Sequence, residues 1–302
     1  MTTPPPPPPS VPAPGPVAAS GPVATPGPVP APAPDVVVAP VLDRRTGSPW
    51  LRRFHPEPSS GSAPTLVFLP HAGGGAAYYH PFSAALAPCA EVLVAQYPGR
   101  QERIGEPVPG SIDAMVDGLL EALRPWRERP LVLFGHSMGA LIAYELTRRL
   151  ENAGTAPRGV ILSGRRSPLI ERSEGVDPRD DDALIALVSE LAGTDARLLA
   201  NPDFRELILP ALRGDYHAVE THRHVPGPVL RAPMSVLTGE SDPRVGVSEA
   251  MAWRELTTGA FTFRGFPGGH FYLNEQRDAV SRAVAEDLAA FTTLAGRSGP
   301  AG

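Results

Sequence analysis

From about residue 50 onward, apolar positions alternate between two rhythms. Leu66–Leu69, Val92–Tyr97, Leu131–Phe134, Gly159–Ser163, Met234–Thr238 and Phe261–Arg264 are short apolar runs, most of them closed by Gly, Pro or a polar residue. They read as core strands, with Trp50–Phe54 as an edge strand. Ile112–Trp126, Ala140–Asn152, Glu249–Leu256 and Arg277–Leu294 carry the helical period instead. Strand alternating with helix predicts an α/β fold with a mostly parallel, doubly wound sheet. Right-handed crossovers then place the carboxyl end of every parallel strand along one rim. The interval Ser167–Arg231 breaks the alternation. Asp180, Asp181 and Asp182 can cap and charge the start of a helix whose Leu184, Leu187, Val188 and Leu191 share a face. A second pattern runs through Phe204, Ile208, Leu212 and Tyr216, with Pro210 expected to kink it. Two such helices inserted between sheet strands predict a lid over about 167–231; the alternative is that their apolar faces are ordinary core.

Chemistry gathers on the predicted rim. Gly135-His136-Ser137-Met138-Gly139 stands between an apolar strand and a helix-forming stretch. In that context Gly-x-Ser-x-Gly is the nucleophile elbow of the α/β-hydrolase fold, a tight turn that raises a serine above the sheet edge. A serine hydroxyl needs an imidazole to take its proton, and the imidazole needs a carboxylate to hold its tautomer and stabilise its charge. Asp242 follows the strand ending at Thr238, and His270 follows the strand ending at Arg264, so the order Ser137, Asp242, His270 is the one this fold requires. Taken alone, His270 could be one loop histidine among eight. Asp215 is a rival carboxylate, but it lies inside a predicted helix rather than beyond a strand. The expected oxyanion hole combines the backbone N–H of Met138 with one from the loop Pro70-His71-Ala72-Gly73-Gly74-Gly75, assigned to Ala72 with Gly73 as the fallback. That glycine run is no phosphate loop, because no Gly-Lys-Ser/Thr follows and the chain has no lysine. His71 reads as a structural loop histidine.

In register with these residues run Tyr97-Pro98-Gly99-Arg100-Gln101-Glu102-Arg103, Gly239-Glu240-Ser241-Asp242 and Gly268-Gly269-His270-Phe271. The series resembles the type II thioesterases that accompany polyketide synthases and nonribosomal peptide synthetases, over about Trp50 to Leu294. The elbow alone is common to many hydrolases; joined to Pro-Gly-Arg-x-x-Arg it is far more specific. The resemblance implies a discrete thioesterase that hydrolyses acyl groups from phosphopantetheine arms of acyl or peptidyl carrier domains of a synthase, clearing stalled or misprimed chains. It also implies Asp242 rather than Asp215 as the carboxylate, and a lid between the fifth and sixth core strands. Arg100 and Arg103 lie beyond a core strand and are candidate contacts to a phosphate or an acidic partner; the alternative is a solvated charge or an internal ion pair.

Composition bounds the rest. The chain has 302 residues and a formal net charge of −5, with no basic footprint of a nucleic-acid binder. All 27 basic residues are arginines, a mark of codon bias in a GC-rich genome. Lone Cys89 cannot form an internal disulfide and suits a reducing cytoplasm; it lacks a predicted base and reads as a packing or surface residue. Residues 1–48 form a Pro/Ala-rich leader, including six consecutive prolines from Pro4 to Pro9. Such a segment is expected to be disordered and extended, whether as a tether or as an over-long start. It has neither the basic start nor the apolar segment of a signal peptide, and no stretch is long and apolar enough to span a bilayer. Residues 49–295 are the expected catalytic domain and 296–302 a frayed tail. A cytoplasmic monomer without metal or cofactor is expected. Two other classes compete with a discrete thioesterase. One is a product-releasing terminal thioesterase or a general carboxylesterase or lipase; the other is a binding module that has lost its chemistry. The intact Ser137, Asp242 and His270 argue against the last, and a domain with its own Met1 argues against a synthase fragment.

Overall fold

In the computed structural model, which describes residues 46–56, 63–191 and 196–296, the apolar runs assemble into one sheet. Its strands are β1 (Leu51–Arg52), β2 (Thr65–Leu69), β3 (Glu91–Ala95), β4 (Leu131–His136), β5 (Gly159–Ser163), β6 (Met234–Gly239) and β7 (Phe261–Phe266). Their spatial order is β1-β3-β2-β4-β5-β6-β7. Every pairing is parallel except that of β1, which runs antiparallel to β3. Strands β2 to β6 are buried at every position, which is why they read as unbroken apolar runs rather than as alternation. Register aligns Phe68 with Phe134 and Phe134 with Ile161, so the carboxyl ends of β2, β4 and β5 finish together.

The strand period of two sorts each strand between two cores. Val67 and Leu69 face a layer built from α2 (Ile112–Ala122) and α3 (Met138–Asn152), with Met115, Leu119, Ile142 and Leu146. Leu66 and Phe68 face the other layer, where α1 (His80–Leu86) contributes Phe82 and Leu86 and the last helix contributes Val280, Val284 and Leu288. Between β5 and β6 lie α4 (Asp181–Glu190), α5 (Ala196–Leu199) and α6 (Pro202–Thr221). Asp180 caps α4, accepting from the Ala183 N–H at 3.0 Å, and α6 continues through Pro210. Leu184, Leu187, Leu209 and Leu212 close a core within this insertion.

The remaining helices are α7 (Val247–Met251), α8 (Tyr272–Glu275) and α9 (Arg277–Gly296). The stretch predicted helical over Glu249–Leu256 is α7 followed by a 3₁₀ turn over Ala252–Leu256. The one predicted to reach Trp126 changes to a 3₁₀ turn at Arg124, where Pro125 cannot donate to an α ladder. The edge strand predicted over Trp50–Phe54 pairs only through Leu51 and Arg52. Described backbone begins at Thr46, whose side chain and that of Ser48 are buried. Residues 46–48, assigned to the leader, and Gly296, assigned to the tail, are thus described, while residues 1–45 and 297–302 lie outside the described residues, among which no helix is long and apolar enough to cross a membrane.

One carboxylate ties the segments following β5 and β6 together. Buried Glu174 pairs with Arg166 at 2.6 Å, Arg244 at 2.7 Å and Arg165 at 2.9 Å. Burial acts to raise the Glu174 carboxyl, but the three guanidiniums outweigh it and hold it down to about 2. A depressed carboxyl stabilises the fold above its unfolded value of 4.5, and that contribution is lost as pH falls towards 2. Glu174→Gln should therefore cost about 3 kcal/mol at pH 7, with the gap to wild type closing below pH 4. Thermal melts of both proteins from pH 7 to pH 3 check this; a pH-independent gap would refute it.

Candidate active site

Strand β4 ends at His136 and α3 begins at Met138, leaving Ser137 alone in the turn with φ +55° and ψ −116°. A non-glycine residue there is strained and persists only when its surroundings hold it. They do so by contact. A Cβ on Gly135 would stand 2.0 Å from the Gly139 carbonyl oxygen, and one on Gly139 would stand 1.9 Å from that of Leu69. The Ser137 N–H donates to the Ser163 carbonyl at 2.8 Å, which locks the turn to β5.

Residues from three strand ends converge above this turn. Ser137 Oγ lies 3.0 Å from His270 Nε2, and His270 Nδ1 lies 2.8 Å from Asp242 Oδ2. Asp242 Oδ1 accepts the Arg244 N–H at 2.8 Å. With the Nδ1 proton committed to a fully buried carboxylate, Nε2 is left to accept the serine proton. Two other buried histidines adjoin His270. His136 has Nδ1 2.9 Å from Ser163 Oγ, which meets the Tyr272 hydroxyl at 2.7 Å. Burial drives His136 well below its ordinary value. Burial, followed by the charges of His270 and Arg100, takes His71 down to about 3. Both rings are neutral at physiological pH. The supports Ser163 and Tyr272 escaped sequence reading, since neither stands in a recognisable motif.

The loop after β2 faces the elbow. Neither the Ala72 nor the Met138 N–H has a partner among the described residues. The fallback donor Gly73 is committed elsewhere: its N–H donates to Asp215 Oδ2 at 2.7 Å. Asp215 also grips Arg100, with Nη1 2.6 Å from Oδ2 and Nη2 2.9 Å from Oδ1. Of the two readings of Arg100 and Arg103, contact to a phosphate or acidic partner or an internal ion pair, the structure shows the internal ion pairs, with Asp215 and Glu106. Arg103 is 3% exposed, donates to Glu106 and to the Gln96 carbonyl, and lies over the Trp50 ring. Cys89 is exposed before β3, its thiol on the Leu86 carbonyl, away from the rim.

Two spaces meet at Ser137. An apolar chamber of about 90 Å³ is walled by Val188, Leu191, Phe204, Ile208, Leu212 and Tyr216 of the insertion and floored by Ser137 and His270. Leu187, predicted on the same face as Val188, turns into the core of the insertion instead. On the other side a narrow cleft runs from Ser137 past Arg165, Arg166, Glu174 and Arg244. It shares Arg165, Arg166 and Glu174 with a polar cavity of about 290 Å³ that reaches His222 and Arg223. No cluster of side chains suited to a metal occurs among the described residues.

A serine at a strand–helix elbow, on a mostly parallel sheet with a helical insertion before β6, defines an α/β-hydrolase. The chain belongs to the thioesterase family, whose thioesterase domain matches residues 64–290. Within it, the chain is one of the type II thioesterases that accompany polyketide and nonribosomal peptide synthases, hydrolases acting on thioesters. It is 49% identical over 243 residues to the "Probable cadicidin biosynthesis thioesterase" of Streptomyces griseus, covering 80% of this chain and 67% of that one. It is 44% identical to "Thioesterase PikA5" of Streptomyces venezuelae, covering 79% and 85%. Among solved structures, the type II thioesterase BorB from the borrelidin biosynthetic cluster superposes with a TM-score of 0.74 at 46% identity, covering 79% of this chain and 97% of BorB.

The elbow geometry has a direct consequence for stability. Gly139→Ala forces a methyl into the Leu69 carbonyl, so it should cost at least about 3 kcal/mol or abolish soluble expression. Urea denaturation measures the loss. A Gly139→Ala protein as stable as wild type would contradict the close approach.

Proposed function

We propose that this thioesterase clears acyl groups from the phosphopantetheine arms of carrier domains, with Ser137, His270 and Asp242 as its catalytic triad. The observation that carries the proposal is the continuous line of hydrogen bonds from Ser137 Oγ through His270 to Asp242, at 3.0 and 2.8 Å, lying where an apolar chamber meets a polar cleft. In the acylation step His270 Nε2 takes the Ser137 proton as Oγ attacks the thioester carbonyl. The Met138 and Ala72 N–H groups receive the charge on the carbonyl oxygen. The carbon–sulfur bond then breaks, the protonated imidazole returns its proton to sulfur, and the thiol leaves the acyl group on Ser137. Water, deprotonated by His270, attacks the ester, and the acid departs as Ser137 regains its proton. Asp242 stays ionised throughout and stabilises the imidazolium.

The two spaces suggest how the substrate lies. The acyl group occupies the chamber under the insertion, and the pantetheine arm passes along the cleft beside Arg165 and Arg166. The chamber is small and apolar, about 90 Å³, which suits short acyl units. Apolar walls separate chains differing by a methylene by only about 1–3 kcal/mol, so selectivity among short chains is loose. Loose selectivity fits a clearing enzyme, which meets many stalled or misprimed groups.

Ser137→Ala should abolish turnover, and Asp242→Asn should lower kcat by about 10⁴ through the wrong imidazole tautomer while leaving the fold intact. Steady-state kinetics with circular dichroism on both variants checks the assignment. The substrate class is tested by one acyl group presented on a carrier protein, on coenzyme A, on N-acetylcysteamine and as an oxygen ester. A clear advantage in kcat/KM for the carrier protein is expected. Equal rates on all thioesters together with brisk ester hydrolysis would make the protein a general esterase.

A further inference from the structure

We propose that Asp215 and Arg100 are positioning residues for the oxyanion hole: a buried ion pair anchored on the lid helix α6 holds the Ala72–Gly73 peptide so that the Ala72 N–H faces the reacting carbonyl. The inference rests on the reading of Ser137 as nucleophile and adds two residues that lie outside the triad. Asp215 is fully buried and the Arg100 side chain is 5% exposed. Every strong hydrogen bond of the carboxylate is spent on the rim loops. Oδ2 accepts both the Gly73 N–H at 2.7 Å and Arg100 Nη1 at 2.6 Å, while Oδ1 accepts Arg100 Nη2 at 2.9 Å. Arg100 in turn donates to the Pro98 carbonyl at 3.2 Å and approaches the Gly74 carbonyl at 3.4 Å. Burial works against the Arg100 charge, but Asp215 outweighs it and raises the guanidinium above its ordinary value.

Stability alone does not account for such a pair. Two charges taken out of water gain little over a well-packed apolar pair of the same volume. What an apolar pair lacks is an acceptor for the Gly73 N–H, and that acceptor fixes the plane of the peptide adjoining Ala72. The loop is otherwise braced by the turn in which the Gly74 N–H donates to the His71 carbonyl at 3.0 Å. One turn before Asp215, Leu212 packs so closely on Gly73 that a Cβ there would stand 2.6 Å from Leu212 Cδ2. Leu212 and Tyr216 also wall the acyl chamber. Helix α6 thus touches the acyl group and the loop carrying the second oxyanion donor, which makes lid position and hole geometry one variable. An oxyanion donor is worth about 10² to 10³ in kcat, and a displacement of about 1 Å forfeits much of that.

Two double variants separate positioning from bulk structure. Arg100→Met with Asp215→Leu replaces the pair by apolar side chains and leaves the Gly73 N–H without an acceptor. Arg100→Met with Asp215→Asn removes both charges but keeps an amide oxygen able to accept it. The readouts are melting temperature, kcat and KM on an acyl-N-acetylcysteamine, and the rate at which a fluorophosphonate labels Ser137. The first variant should melt within a few degrees of wild type, lose about 10- to 100-fold in kcat with KM within about threefold, and label more slowly in proportion. The second should recover most of both rates. A folded first variant with wild-type kcat and labelling rate would overturn the proposal, as would equal losses in the two variants. Should the first not fold, the second decides alone: kcat within about fivefold of wild type supports the acceptor role, and a larger loss overturns it. A wild-type protein that hydrolyses no thioester and takes no label at Ser137 would instead overturn the nucleophile reading itself.

Discussion

Backbone meeting backbone at the elbow is the constraint on which the rest of the site depends. Ser137 keeps φ +55° because Gly135 and Gly139 let β4, α3 and the end of β2 approach to distances that no Cβ would survive. That approach fixes where Oγ stands relative to the sheet. It also draws the loop after β2 alongside the first turn of α3, so Ala72 and Met138 border the same cleft as Ser137. Parallel strands then do the remaining placement. Because β6 and β7 run parallel to β4, the residues just past their ends, Asp242 and His270, arrive on the same rim without any long connection.

Electrostatics around the site are arranged to leave one imidazole in play. His71 and His136 are held neutral by burial, and His270 alone has a carboxylate on one ring nitrogen and a hydroxyl on the other. Charged residues nearby are neutralised in place: Asp215 by Arg100, and Glu174 by Arg165, Arg166 and Arg244. Each carboxylate joins segments that are distant along the chain, so the insertion between β5 and β6 is fastened to the rim by ionic contacts as well as by its apolar face.

The strands and the order of the site residues were legible in the sequence because each depends on local pattern. A buried parallel strand is a continuous apolar run, and an elbow is a fixed spacing of small residues around a nucleophile. Helix α1 was not legible, since His80–Leu86 is too short to display a period and carries Pro81 near its start. Nor could the sequence say which way Arg100 points, because its partner Asp215 stands 115 positions away and belongs to an element whose docking is tertiary. In sequence Asp215 reads as a rival to Asp242, but its place inside α6 puts its carboxylate on Arg100 and the Gly73 N–H rather than on His270. Leu187 and Val188 are adjacent on one apolar face, and only the packing of α4 on α6 decides that Val188 lines the chamber.

Proposed covalent transfer of the acyl group to Ser137 links the two half-reactions. Its most direct test is rapid mixing with an acyl-N-acetylcysteamine, acid quench within the first turnovers, and intact-mass and peptide mapping of the protein. A single added acyl mass located on Ser137 is expected, accumulating in a His270→Ala protein only at a strongly reduced rate. An acyl adduct on Cys89, or turnover with no covalent adduct and undiminished by Ser137→Ala, would contradict it.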